Sequence, residues 1–95
     1  MSILKSLYLN LHPEIISPDE IIFDGDVRLV QVPGSTGRFA VLRDHAPIVS
    51  ILEKGKIKVV DQNGDLKYFD TTGGVIQVIS NRITILTENN PVPVT

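Results

Sequence analysis

Lys56-Ile57-Lys58-Val59-Val60-Asp61-Gln62-Asn63-Gly64-Asp65-Leu66-Lys67-Tyr68-Phe69 is the stretch that decides the fold class. Lys56-Ile57-Lys58-Val59 alternates polar and apolar residues, the period of a strand with one buried face. Asn63-Gly64 supplies two positions tolerant of positive φ, so the stretch predicts a hairpin closed by a type I′ turn, with Leu66-Lys67-Tyr68-Phe69 as the return strand. Downstream, Val75 to Ile79 and Ile83 to Thr87 flank Ser80-Asn81-Arg82 and predict a second hairpin. Its strands are apolar on both alternating sets, Ile76 and Val78 on one side and Val75 and Ile79 on the other. Such a strand is either covered on both faces or buried on one face and docked to a partner on the other.

The same punctuation continues outward from these hairpins. Turn-forming clusters stand at Ser17-Pro18-Asp19, Asp24-Gly25-Asp26, Pro33-Gly34-Ser35-Thr36-Gly37, Arg43-Asp44-His45, Lys54-Gly55 and Gly73-Gly74. Between them lie short runs rich in Val, Ile, Leu, Tyr and Phe, spaced by roughly 8–12 residues, the mark of a sandwich or barrel. No stretch keeps a helical period, so the expected class is all-β, in one domain over residues 1–88. Residues 89–95 read as a short polar, proline-bearing tail in which no helix starts. Gly73-Gly74 offers no side chain to pack, which predicts a bulge or a close approach by another backbone.

Composition narrows the function. The chain has 95 residues, 42% of them hydrophobic, enough for one core. The net charge of −2 provides no basic field for nucleic acid. The absence of cysteine excludes a disulfide scaffold, a thiol nucleophile and a thiolate metal site. Met1 to Leu11 is too short and too interrupted for a membrane span, and it carries no signal-peptide or transit-peptide pattern. The expected location is the bacterial cytoplasm, including the cytoplasmic face of a membrane.

Each candidate for chemistry has a plainer reading. His45 would need Asp44 to orient it as a base, yet neighbours on an extended chain point to opposite faces. Asp61-Gln62-Asn63-Gly64-Asp65 opens like a calcium loop, but Leu66 stands where glycine is required and Thr72 where the bidentate glutamate belongs. Asp24-Gly25-Asp26 has too few ligands for a cation and reads as a solvated turn. Ser2-Ile3-Leu4-Lys5 matches S-x-x-K by spacing alone. Gly34-Ser35-Thr36-Gly37 lacks the lysine and following helix of a phosphate loop and reads as a tight reversal. No catalytic, cofactor or metal residue is expected, and no small-molecule ligand. A sugar-binding or general protein-binding sandwich is the alternative, but exposed aromatics for stacking are not evident among Tyr8, Phe23, Phe39, Tyr68 and Phe69.

Val32-Pro33-Gly34-Ser35-Thr36-Gly37-Arg38-Phe39-Ala40-Val41-Leu42-Arg43-Asp44-His45-Ala46-Pro47-Ile48-Val49-Ser50 resembles the hallmark of the epsilon subunit family of F-type ATP synthase. Ile15-Ile16-Ser17-Pro18-Asp19, Phe23-Asp24-Gly25-Asp26-Val27, Gly73-Gly74-Val75 and Asn81-Arg82-Ile83-Thr84-Ile85-Leu86 agree with it in order and spacing. The resemblance implies a flattened sandwich of about ten strands in two sheets. It also implies a non-catalytic place in the rotor's central stalk, between the gamma subunit and the c-ring, reached by the membrane only through the complex. It sets Ser17, His45 and Ser50 toward gamma, and Thr36 and Arg38 toward the c-ring. Thr36 and Arg38 stand where relatives often carry acidic residues, Ala40 replaces a glycine and Arg43 a proline. Many relatives continue into a helical hairpin that inhibits hydrolysis. Either the chain is cut short or it is a naturally short member without that inhibition, and the Pro91-Val92-Pro93 ending, which lacks helix-forming character, favours the second.

Overall fold

A computed structural model describes residues 11–90 and 93–94. The Ser2 to Lys5 spacing and the N-terminal segment through Asn10 lie outside them, as do Pro91, Val92 and Thr95 of the tail. Ten strands are present: β1 (His12–Ile16), β2 (Ile21–Asp24), β3 (Val27–Gly34), β4 (Gly37–Val41), β5 (Ile48–Leu52), β6 (Gly55–Asp61), β7 (Leu66–Thr71), β8 (Gly74–Ile79), β9 (Arg82–Thr87) and β10 (Pro93–Val94). The described residues contain no helix.

The strands form two five-stranded layers, β10-β7-β6-β3-β4 and β5-β8-β9-β1-β2. All pairings are antiparallel except β1 with β9. The long strand β3 stitches the layers together at both of its ends. Gly34 pairs with Leu52 of β5, and Val27 exchanges backbone hydrogen bonds of 2.9 and 3.0 Å with Leu11. The layers therefore belong to one ladder that curls over on itself, the all-β sandwich or barrel that the turn spacing predicts.

The core lies between the layers. Alternation sets Ile57, Val59 and Phe69 of the first layer against Ile15, Ile76, Val78, Ile83 and Ile85 of the second, each no more than 3% exposed. Phe23 of β2 meets Phe69 of β7 edge to face at 5.9 Å between ring centroids, a contact that crosses from one layer to the other. The buried polar groups are hydrogen-bonded. Thr71 Oγ1 donates to Gly73 O and accepts from Gly73 N, and Thr87 Oγ1 donates to Asn89 O. Ile76→Ala removes a fully buried side chain from the middle of β8. Its expected cost is about 2–5 kcal/mol, read as a fall in the urea midpoint at constant slope.

The two hairpins differ in their turns from the sequence reading. Ser80 and Asn81 both have positive φ, 49° and 66°, and they alone join Ile79 to Arg82, so the type I′ turn sits there. At Asn63-Gly64 only Gly64 is left-handed, at 86°. Asp61 O accepts from Gly64 N, and Asp61 Oδ1 accepts from the amides of Asn63 and Asp65. The Asp61 carboxylate organises a longer loop, and Asn63 stays out of the left-handed region. Gly74 fulfils the close-approach reading: at φ 152° it lies directly against the backbone of Leu86 and Thr87.

Candidate docking surface

The outer face of the second layer is built by the residues that alternate with its core positions. Register aligns Ile51, Val75, Leu86, Ile16 and Ile21 in one row across β5, β8, β9, β1 and β2. Ile51 is 65% exposed, Ile21 56% and Leu86 49%. Five apolar side chains thus form a continuous stripe, rather than the scattered single apolar residues of an ordinary surface. Val49, 71% exposed, extends it along β5. Among the described residues the strand is covered on one face only: Ile76 and Val78 are buried, and Val75 and Ile79 face outward.

The next row is Val49, Gln77, Thr84, Glu14 and Asp24, and beyond it stand Ile79, Arg82 and His12. The face therefore grades from apolar at the β8 start to charged at the β8–β9 turn. Gln77, Ile79, Ser80, Arg82 and Thr84 line a shallow depression of about 290 Å³ there. Strand β5 is the edge of this layer. Outside its bridge to β3, its outer side is met by the Ser35 amide, which donates to Ile51 O. An apolar edge strand of this kind is a surface on which another chain docks.

The residues singled out in the sequence do not form one patch. Ser17 follows Ile16, level with Leu86 and Thr87 at one end of the β8–β9 hairpin. It is 5% exposed, and its hydroxyl accepts from the amides of Asp19 and Glu20 and donates to Glu20 O. His45 lies by the other end, where its neighbour Asp44 is tied to Asn81, so about 18 Å of strand separates the two levels. The His45 ring Nδ1–H donates to Ala46 O at 2.7 Å and is not oriented by Asp44. Asp44 N instead donates to Asn81 Oδ1 at 2.6 Å, with Asp44 held at φ 64°. Ser50 is half-buried on the inward parity of β5, beside the outward Val49 and Ile51. Thr36 and Arg38 stand together, exposed, at the tip of the β3–β4 hairpin, at the edge of the first layer.

Two features escaped the sequence reading. One is the stripe, because adjacency across five strands depends on register. The other is the turn Asp24-Gly25-Asp26, read as solvated. Its two carboxylates grip His12, Asp24 at Nε2 (2.6 Å) and Asp26 at Nδ1 (2.7 Å). Among the described residues no three potential ligands converge to hold a metal ion.

Residues 10–90 match the family model described as ATP synthase, Delta/Epsilon chain, beta-sandwich domain. The ATP synthase epsilon chain of Caulobacter vibrioides is 40% identical over 79 residues, covering 83% of this chain and 91% of that protein. The epsilon chain of Chloroflexus aggregans is 36% identical over 78 residues, and the chain spans only 55% of its length. Among solved structures, a chain of the Euglena gracilis mitochondrial ATP synthase, OSCP/F1/c-ring in rotational state 1, superposes with a TM-score of 0.84 at 23% identity. It covers 90% of this chain and 54% of that one. A chain of the Tetrahymena thermophila mitochondrial ATP synthase central stalk/c-ring gives a TM-score of 0.69 at 16% identity, covering 83% of this chain and 63% of that one. At these identities the two structures speak for the shared fold.

Proposed function

This chain belongs to the delta/epsilon β-sandwich family of ATP synthase, and we propose from that premise that it is a non-catalytic rotor subunit linking the gamma subunit to the c-ring. The observation that carries the reading is the stripe Ile51-Val75-Leu86-Ile16-Ile21 on the outer face of a sandwich tied at both ends of β3. A torque-bearing connector needs a stiff body with an apolar face to seat on its neighbour, and bond-making groups are not required of it. The gamma subunit covers the stripe and the β5 edge, with Ser17 holding the turn that follows Ile16 of the stripe, Ser50 on β5 itself and His45 ahead of the start of β5. The c-ring loops meet the hairpin tip at Thr36 and Arg38. The chain sits peripherally on the cytoplasmic face of the bacterial membrane, attached only through the complex. It binds no cofactor or nucleotide.

The reading is tested by supplying the chain to membranes whose ATP synthase has been stripped of its epsilon subunit. Restored proton pumping driven by ATP, with the chain recovered in the complex, is the expected result. A chain that never sediments with the complex would overturn the reading. At the hairpin tip, Arg38 calls for an acidic residue on the facing loop. Arg38→Glu is expected to weaken that contact by no more than about fivefold, as exposed pairs are worth little. The effect should shrink with added salt, measured as coupling efficiency over a salt series.

A further inference from the structure

We infer that His12 is a proton-operated latch that pins the β2–β3 turn onto β1 and sets the charge of one corner of the second layer's outer face. Both ring nitrogens point at carboxylates, Nδ1 at Asp26 and Nε2 at Asp24, at 2.7 and 2.6 Å. An ionised carboxylate only accepts, so both contacts are hydrogen bonds only when both nitrogens carry a proton. The neutral ring has one N–H and leaves the other nitrogen's lone pair facing a carboxylate oxygen. Protonation therefore decides whether the ring is held on two sides or one.

Among the described residues, the clamp supplies the side-chain hydrogen bonds that join β1 to the β2–β3 turn. Asp24 ends the edge strand β2, and Asp26 begins the crossing into β3 and the first layer. Locally, the backbone supplies the Val27 to Leu11 pair and a long Gly25 N to Pro13 O contact of 3.5 Å. The β1–β2 register is also broken between Ile15 and Ile16. His12 itself is fixed from below, its amide donating to Asn81 O at 2.9 Å.

Charged groups also stand on the neighbouring elements. Glu14 lies beside it on β1, and Arg82 of β9 is its register partner, reaching toward Glu14 at 3.8 Å. Lys67 of β7 lies over Phe23 on the opposite side of β2. Asp61, across from Val27, is engaged with the amides of its own loop. The hydrogen bond to Asp26 chiefly, with that to Asp24 and the charges of both, raises the His12 pKa above its ordinary value, against partial burial. A raised folded pKa means that the latch is fully engaged below the unfolded value of about 6.5. It is lost as pH rises through the folded value, when the corner also sheds one positive charge and leaves Glu14, Asp24 and Asp26 opposed by Arg82.

The test follows the His12 ring by NMR through a pH titration of the full chain carrying H45Q, which leaves one imidazole. Protection of the Val27 amide against hydrogen exchange, relative to its intrinsic rate, is read in parallel. The expected midpoint lies above 6.5 and falls back toward it in D26N. Protection of Val27 is expected to drop severalfold through the same midpoint, and to stay level across that range in H12Q. A midpoint at or below 6.5, or a drop in protection that persists in H12Q, would overturn the inference. D26N keeps the imidazole and carries the test if H12Q does not fold.

Discussion

Gly74→Ala is expected to leave much of the domain unfolded at physiological temperature. A Cβ at this position would run into the carbonyl oxygen of Leu86, with the Leu86 carbonyl carbon at 3.0 Å and Thr87 Cα at 3.1 Å. These are backbone atoms of the paired strand β9, and a rotamer change cannot move them aside. The φ of 152° adds backbone strain that an L side chain rarely sustains. The two effects together are expected to cost about 3–5 kcal/mol, a large part of the stability of a small domain. At about 4–8 °C per kcal/mol the melting temperature should fall by roughly 12 °C or more. Gly37→Ala is the control. It has a comparable φ of 135° but open space within 4 Å, so it should lose only the strain, about 1–3 kcal/mol. Thermal melts of both variants separate close approach from conformational freedom.

Ile51→Asp should have the opposite profile, leaving the domain intact and removing its affinity for gamma. Ile51 is 65% exposed, so the substitution alters no core packing and should change the free domain's stability by at most about 1 kcal/mol. In the proposed complex the same position lies where β5 meets the partner, and a carboxylate there would be desolvated without a counter-charge. A loss of at least about 2 kcal/mol, or roughly thirtyfold in Kd, follows. Isothermal titration of gamma into the wild-type and variant chains, with a melting curve of each, reads both quantities. His45→Ala, ahead of β5, and Ser50→Ala, on the inward side of β5, should weaken binding by much less.

The fold was legible in the sequence because its signals are local. Turn residues at Pro33-Gly34, Lys54-Gly55 and Ser80-Asn81 mark reversals wherever they occur, and the period-2 pattern of Lys56 to Val59 needs no tertiary information. Turn types were less legible. Asn63 is free to take positive φ but is drawn away from it by the Asp61 carboxylate, while Ser80 accepts 49° because a two-residue connection leaves no alternative. The docking surface was half visible. The doubly apolar β8 signalled an apolar second face at Val75, but Ile51 and Ile21 join it only through the register of four strand pairs. The His12 clamp gave no signal, because its partners are 12 and 14 residues away and meet it only when β2 folds back on β1.

The central claim, that the second layer's outer face is the surface seated on gamma, is tested most directly by photocrosslinking within the assembled ATP synthase. One probe replaces Val75, in the middle of the stripe. The other replaces Lys58, which alternates with the buried Ile57 and Val59 on the outer side of the first layer. The account predicts crosslinks to gamma from position 75 and none from position 58. Crosslinks to gamma from position 58 alone would contradict it.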